Sequence, residues 1–194
     1  MIQVVLATAI GRVAQTGTAL VNNTGDRSNG VGHYALRNNT GNDSNAFGYG
    51  AGRNNTGADS NGVGYRALRD NTGNDSNAFG YEAGRNNTGD RFNGVGYRTL
   101  RDNTGADSNG VGYEALRDNT GDRSNAVGYE ALRDNTGANS NGVGFQALAN
   151  NTGDKSNGVG HRALEGGGLS NPSDMGSTSM RSDTTRVGTT PVRG

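Results

Sequence analysis

Cysteine is absent from the chain, and proline occurs only twice, at Pro172 and Pro191. The lack of cysteine excludes disulfides, thiolate chemistry and cysteine-ligated zinc. Apolar residues make up only 30% of the 194 residues, which is too few for an ordinary two-layer globular core. No run approaches the roughly 20 apolar residues of a membrane span, so membrane insertion is not expected.

A surplus of either charge is also absent, since 18 basic residues balance 18 acidic ones. Nucleic acid and anionic membranes attract proteins that carry an excess of Lys and Arg. Neither is expected as a partner. The apolar start, Met1 to Ile10, is short and has no Lys or Arg before Arg12, which is not typical of a secretory signal. We expect the protein to reach its place of action by another route, such as assembly into a particle.

Glycine and asparagine are abundant and recur at fixed intervals. Residues 22–165 are nine consecutive copies of a 16-residue unit without insertions, and with Asn22 as position 1 the unit has Asn-Thr-Gly at positions 2 to 4, Asn at 8 and Gly at 11. A period of 16 is typical of β-solenoids, because helix-pair repeats exceed about 30 residues. The sequence therefore predicts an all-β chain, a parallel β-solenoid or β-roll of nine coils.

Within each coil, the segment Gly-Val-Gly-Tyr-x-Ala-Leu supplies β-forming residues. Asn-Thr-Gly is typical of a turn in which Gly takes a positive φ. Each coil is thus predicted to run strand, turn, strand, turn.

Positions 10 and 15 are predicted to fill the interior together. Seven coils pair Val with Leu, whereas the other two pair Phe47 with Gly52 and Phe79 with Gly84. Such an exchange of size is expected where two side chains share one close-packed space. The predicted core is Val31, Leu36, Phe47, Val63, Leu68, Phe79, Val95, Leu100, Val111, Leu116, Val127, Leu132, Val143, Leu148, Val159 and Leu164.

Stacked coils, about 4.8 Å apart, place identical positions in ladders. Positions 2 and 8 predict asparagine ladders that hydrogen-bond from coil to coil. At position 16 seven arginines form a row from Arg37 to Arg133, and their repulsion is expected to be relieved by Asp70, Asp102, Asp118 and Asp134 or by Glu82, Glu114 and Glu130. Position 12 predicts an aromatic ladder of His33, Tyr49, Tyr65, Tyr81, Tyr97, Tyr113, Tyr129, Phe145 and His161.

The two ends depart from the repeat. Residues 1–21 are expected to form an N-terminal cap, in which Thr18-Ala19-Leu20 matches x-Ala-Leu and Ala9-Ile10-Gly11 matches Ala-Val-Gly. The alternative is a docking strand for another protein, formed by Ile2, Val4, Val5 and Leu6. Residues 166–194 are expected to form an extended arm rich in Gly, Ser and Thr, either disordered or lying on a neighbouring subunit.

No group of residues predicts catalysis. The carboxylates recur with the repeat and leave no unique acid/base pair, and His33 and His161 stand eight coils apart at the ends of one ladder. We therefore expect no enzyme activity, no cofactor and no metal site. A three-fold cluster of His33 around a metal in a trimer is the alternative for that residue.

The core Ser-Asn-Gly-Val-Gly-Tyr-x-Ala-Leu, preceded by Asn-Asn-Thr-Gly, resembles the Ser-x-Ala-x-Gly-x-x-Ala repeats of trimeric autotransporter adhesin heads. It is still more similar to the Asn-Thr-Gly/Gly-Tyr-x-Ala-Leu repeats of phage fibre-like proteins. This resemblance spans residues 22–165 and implies a left-handed parallel β-roll assembled as a homotrimer. Because a single thin coil buries little apolar surface, we expect the position-15 leucines or the aromatic ladder to face a three-fold axis.

The resemblance favours a structural protein of the virion surface, either a trimeric capsid decoration (cement) protein or a short head or tail fibre. Its expected partners are further copies of itself, major capsid or tail proteins, and host surface glycans. A bacterial surface adhesin head is an alternative to the virion role. It is less favoured, because the signal peptide, stalk and membrane anchor of the adhesins are not recognisable here. An ice- or calcium-binding solenoid is the other alternative, although the loop carboxylates that calcium would need are replaced by Arg27, Ala106 or Asn139 in some coils.

Overall fold

A computed structural model describes residues 13–14 and 18–166, with side chains described from residue 18 onward. These residues contain no helix and form one parallel sheet in which the strand order follows the chain. Each strand residue pairs with the residue 16 positions later, as Asn93 does with Asn109. The predicted parallel β-solenoid of 16-residue coils is confirmed. Its strands are β1 (Val13–Ala14), β2 (Asn29–Val31), β3 (Asn45–Phe47), β4 (Asn61–Val63), β5 (Asn77–Phe79), β6 (Asn93–Val95), β7 (Asn109–Val111), β8 (Asn125–Val127), β9 (Asn141–Val143) and β10 (Asn157–Val159).

The division of each coil into strands and turns differs from the prediction. Only positions 8 to 10 form a strand, and the chain turns at positions 5 and 6 and again from position 12 onward. Asn-Thr-Gly is not a turn, because this segment hydrogen-bonds in register to the same segment of the next coil. The amide of Thr56, for example, donates to the carbonyl oxygen of Asn71 at 2.9 Å. The Tyr-x-Ala-Leu segment is not a strand, because Arg98 and Leu100 have φ angles of 52° and 54°.

Four non-glycine residues in nearly every coil adopt the left-handed conformation, at positions 1, 6, 13 and 15. That conformation costs about 1–2 kcal/mol for each such residue. Hydrogen bonds between coils offset this cost: the amide of Leu116 donates to the carbonyl of Ala131 at 3.0 Å, and that of Glu114 to the carbonyl of Tyr97 at 2.8 Å. The turns are therefore stable only within the stack.

Glycine at position 4 is required by the spacing of the coils. We predicted a positive φ for it, which is wrong, since none of these glycines is among the residues with positive φ. A Cβ on Gly73 would instead lie 2.0 Å from the carbonyl oxygen of Gly89 in the next coil. Any side chain here would push two coils apart.

The interior is narrow and is filled mainly by position 15. The leucines at this position from Leu36 to Leu148 are at most 1% exposed, and Leu164 packs partly buried at the end of the same cluster. Alanine at position 14, serine at position 7 and asparagine at position 2 are buried beside them. A second large residue is buried only in the coil of Phe92, whose ring takes the space left free at Gly84 in the preceding coil.

The prediction that position 10 points into this interior is wrong. In a three-residue strand the side chains alternate between faces, and here position 9 points inward while positions 8 and 10 point outward. Val111 is 47% exposed, whereas its neighbour Gly110 is buried. The same outward placement holds for Val31, Phe47, Val63, Phe79, Val95, Val127, Val143 and Val159.

The exchange of size seen in the sequence has a different cause. At Gly52, which lacks the usual leucine, a Cβ would lie 2.6 Å from Cδ2 of Leu36 and 3.2 Å from Cβ of Ala46. At Gly84 it would lie 2.5 Å from Cζ of Phe92. The missing leucines are therefore replaced by interior neighbours, and the phenylalanines at position 10 lie on the outside.

Two asparagine ladders run along the solenoid, as predicted. In the buried ladder at position 2, Asn87 Nδ2 donates to Asn71 Oδ1 at 2.8 Å and to the carbonyl of Gly89 at 2.7 Å. In the outer ladder at position 8, Asn77 Nδ2 donates to Asn93 Oδ1 at 3.0 Å. The buried ladder donates toward the N-terminus and the outer one toward the C-terminus.

The regular stack begins before residue 22. Thr18-Ala19-Leu20 lies in register with the first full coil, as predicted, since the amide of Tyr34 donates to Thr18 Oγ1 at 3.2 Å and that of Leu20 to the carbonyl of Ala35 at 2.9 Å. Ala14 pairs with Gly30, so Ala14 takes position 9 of the leading coil, whereas Ala9-Ile10-Gly11 lies outside the described residues. The proposed docking strand, Ile2, Val4, Val5 and Leu6, and the arm beyond Gly166 lie outside the described residues.

Candidate interaction surface

The outer side chains of the solenoid form straight columns, because every coil has the same length and register. Among the described residues, no helix is long and apolar enough to cross a membrane. In the same ranges, no group of three or more His, Cys, Asp or Glu side chains is placed to hold a metal ion. The columns make up the outer surface of the described coils.

The first column is apolar and consists of the Val and Phe side chains at position 10. Most are between 38% and 49% exposed in the single chain, and Val159 at the C-terminal end of the stack is 66% exposed. Nine such residues at the spacing of parallel strands make a stripe about 38 Å long. A continuous apolar stripe of this length is typical of a surface that contacts another molecule.

The second column is the aromatic ladder at position 12, which the structure forms as predicted from His33 to His161. Neighbouring rings are nearly parallel, and their centroids are 4.8 Å apart between Tyr113 and Tyr129 and 5.4 Å apart between Tyr49 and Tyr65. Each inner ring therefore has both faces against neighbouring rings, and only its edge and hydroxyl face outward. Desolvation in this stack, together with Glu130, raises the pKa of the Tyr129 hydroxyl.

These two columns and the outer asparagine ladder make up an uncharged surface. No Asp, Glu, Lys or Arg occurs at positions 8, 10 or 12 in any of the nine coils. The charged residues of the coils are confined to positions 1, 5, 6, 13 and 16. We call the columns at positions 8, 10 and 12 the neutral face.

The arginine row at position 16 is neutralised as predicted over most of its length. Arg101 and Arg133 each bind the following aspartate, Asp102 and Asp134, with Nε to carboxylate distances of 3.0 Å. Position 13 supplies the other carboxylates, and Arg117 Nη1 lies 2.8 Å from Glu114. Arg98 joins adjacent coils of this charge network, since it lies 3.4 Å from both Glu82 and Glu114.

Glu82 is the most enclosed carboxylate of this network. Its side chain is only 4% exposed and lies 2.7 Å from Arg85, 3.4 Å from Arg98 and 3.6 Å from both Arg66 and Arg101. The cations come from three successive coils. The column therefore builds an oxyanion site from arginines and fills it with its own glutamate.

The turn at positions 5 and 6 forms a separate, more acidic column. Arg91 binds Asp107 in two contacts, Nε to Oδ1 at 2.6 Å and Nη2 to Oδ2 at 2.8 Å. Hydrogen bonding to Arg91 lowers the pKa of Asp107, and hydrogen bonding to Arg27 likewise lowers the pKa of Asp43. These pairs link coils that lie next to each other on an exposed edge.

Threonine at position 3 forms the last column. All nine residues from Thr24 to Thr152 are exposed, and buried asparagine and glycine flank each of them. Each coil contributes one hydroxyl to this column. Its identity never varies, as is also true of the outer asparagine ladder.

Compared with known proteins, the chain matches no family model and no curated protein sequence.

The sequence predicted the aromatic ladder and the neutralised arginine row, but not the apolar column. The signal for that column was the small residue at position 9, which is Gly or Ala in every coil. Because the position-15 leucine fills the narrow interior, the strand position that points inward must be small. This rule would have assigned Val and Phe to the outside.

Proposed function

We propose that the chain assembles into a left-handed, trimeric β-roll and serves as a structural protein of a virion surface, as a capsid decoration protein or a short head or tail fibre. The neutral face is the observation that carries this proposal. It presents a straight, uncharged, apolar stripe on a rigid rod, and the period of that stripe fits another copy of the same rod.

A trimer brings three neutral faces together around one axis. Leucine at position 15 is already buried within each chain, so the outward Val and Phe, with the aromatic ladder, are the residues that face the axis. Burial of side chains that are now nearly half exposed adds the apolar area that a single thin coil lacks. The charged columns remain on the outside, where contacts with major capsid or tail proteins are made.

Contact with host glycans uses the columns that remain outside the trimer. The exposed threonine hydroxyls at position 3 and the charged columns are available for it.

The test is the mass of the purified protein in solution, measured by light scattering, for the wild type and two variants of one coil. Val127→Lys places a charge on the neutral face and is expected to give a folded monomer. Thr120→Lys places the same charge on the threonine column and is expected to leave three chains of 19.9 kDa together. A wild-type mass of one chain would contradict the trimer.

The virion role is tested by mixing the protein with particles that lack it. Co-sedimentation of the trimer with the particles, and a higher temperature of particle disruption, are the expected results. A stable trimer that binds no particle would support the trimeric assembly of the chain but contradict the decoration role.

Ice binding is a second candidate, favoured by the nine exposed threonines of position 3. Their hydroxyls repeat at the coil spacing, about 4.8 Å, along a straight line. Measurable thermal hysteresis that disappears in Thr72→Lys/Thr88→Lys, and persists in Val95→Lys, would establish it.

A further inference from the structure

The charge network is incomplete at its N-terminal end. Arg37 and Arg53 have no ion pair and no side-chain hydrogen bond among the described residues, and their Nε atoms are buried without a partner. Both guanidinium groups instead lie over the ring of Tyr34, at 5.2 and 6.0 Å from its centroid. Residues 1–17 contain no Asp or Glu, so that segment offers no side-chain carboxylate to them.

Two coils of the repeat show what is missing. The coil 38–53 and the coil 70–85 have the same sequence except at position 1, where Asn38 replaces Asp70, and at position 13, where Gly50 replaces Glu82. Both differences remove a carboxylate from the earlier coil. The arginine at position 16 is retained in both, as Arg53 and Arg85.

The place of the missing carboxylate at Gly50 is shown by Glu82, the equivalent residue two coils later. Glu82 lies against the arginine of its own coil and the position-13 arginine of the next, at 2.7 and 3.4 Å. The corresponding residues around Gly50 are Arg53 and Arg66. A Cβ on Gly50 would touch only Cγ of Arg66, at an ordinary 3.6 Å, so space for a side chain begins there.

We propose that Gly50, Arg53 and Arg66, with Arg37 beside them, form a binding site for the oxyanion group of a small ligand, a carboxylate, sulfate or phosphate. The ligand takes the place that Glu82 fills within the chain two coils later. Guanidinium groups bind such planar or tetrahedral oxyanions through paired N–H donors. Partial burial strengthens the attraction, because the charges are less screened than on an open surface.

The site goes beyond the proposed function and does not depend on it. It lies on the charged columns rather than on the neutral face, so it is present in the monomer and in the trimer. The Val127→Lys variant, whether monomeric or not, is expected to bind the same ligands as the wild type. The anion-binding test therefore remains valid even if the protein is not a trimer.

The experiment is a titration at low ionic strength, followed by calorimetry and by the NMR signals of the arginine Nε–H groups. The probes are acetate, glucuronate and sulfate, with glucose as the uncharged control. Saturable binding of the anions, with shifts confined to Arg37, Arg53 and Arg66, is expected. Tighter binding of glucuronate than of acetate identifies an acidic sugar as the source of the carboxylate, whereas equal binding identifies a simple anion site.

Three variants separate the site from general charge effects. Gly50→Glu supplies an internal carboxylate, and since Gly50 and Glu82 have similar φ angles of 64° and 53°, the variant is expected to fold and to bind no anion. Arg53→Gln is expected to weaken binding at least about tenfold, as the loss of a charge-assisted contact implies. Arg117→Gln, which removes an arginine that is already paired with Glu114 and Asp118, is expected to bind as the wild type does. Equal binding by the wild type and Gly50→Glu, or no saturable binding by the wild type, would overturn the proposal.

Discussion

Gly84 and Phe92 share one space in the interior of the solenoid. A Cβ on Gly84 would lie 2.5 Å from Cζ of Phe92, and the Phe92 ring is fully buried. Position 7 is serine in every other coil. The phenylalanine thus fills, from the next coil, the volume that leucine fills elsewhere.

This relationship predicts a rescue. Phe92→Ser alone is expected to lower the free energy of unfolding by about 3–5 kcal/mol, because it leaves a cavity. Gly84→Leu alone is expected to destabilise by overpacking. The double variant restores the sequence of the regular coils and should recover most of the loss, as measured by urea denaturation. Additive losses in the double variant would show that the two residues do not share one space.

The buried asparagine ladder predicts a strong and pH-dependent effect of a carboxylate. In Asn87→Asp, the new oxygen faces Asn71 Oδ1 and the carbonyl of Gly89, to which the amide now donates. The expected loss at pH 7 is about 3 kcal/mol or more, since a buried charge is left without a cation. Burial raises the pKa of the introduced carboxyl, so the loss should shrink as the pH falls through that raised value toward about 4.

The matched control is Asn141→Asp in the outer ladder. Asn141 is exposed, and its Oδ1 still accepts from Asn125 Nδ2 after the change. A loss below about 1 kcal/mol is expected, because water solvates the new charge. Equal losses of stability for Asn87→Asp and Asn141→Asp would mean that burial does not determine the energetic cost of the new carboxylate.

The close approach of the coils predicts that position 4 tolerates no side chain. Gly73→Ala puts a Cβ 2.0 Å from the carbonyl oxygen of Gly89 and is expected to cost about 3 kcal/mol or more. Gly50→Ala meets only Arg66 Cγ, at 3.6 Å, and is expected to cost about 1 kcal/mol for its positive φ. Thermal denaturation of the two variants measures the difference, and the reverse order would contradict the stacking geometry.

The exposed ion pairs predict a loss of stability in acid. Hydrogen bonds from Arg27 and Arg91 lower the pKa values of Asp43 and Asp107. A lowered pKa means that this contribution is present above the ordinary value of about 3.9 and is lost as the pH falls through the lowered value. Asp107→Asn is expected to reduce the fall in the urea midpoint between neutral and acidic pH, whereas Asp59→Asn, at a carboxylate without an ion pair among the described residues, should leave that fall unchanged.

The repeat itself determined the architecture. An unbroken period of 16 residues requires identical coils in register, and so it predicted the parallel sheet, the two asparagine ladders, the stacked rings from His33 to His161 and the neutralised arginines. Each of these features depends only on which positions lie above one another. When coils of equal length stack, the repeat alone determines which positions lie above one another.

The direction of each side chain was decided by the tertiary structure. The hydrophobicity of Val111 suggests burial, but the leucine at position 15 reaches across the coil: a Cβ on Gly62 would already lie 3.2 Å from Cδ1 of Leu68. Only Gly or Ala fits inward on the strand, so valine faces outward. The filling of Gly84 by Phe92 and the gap at Gly50 also depend on contacts between coils, because the neighbouring coil, and not the coil's own sequence, sets the space available to each side chain.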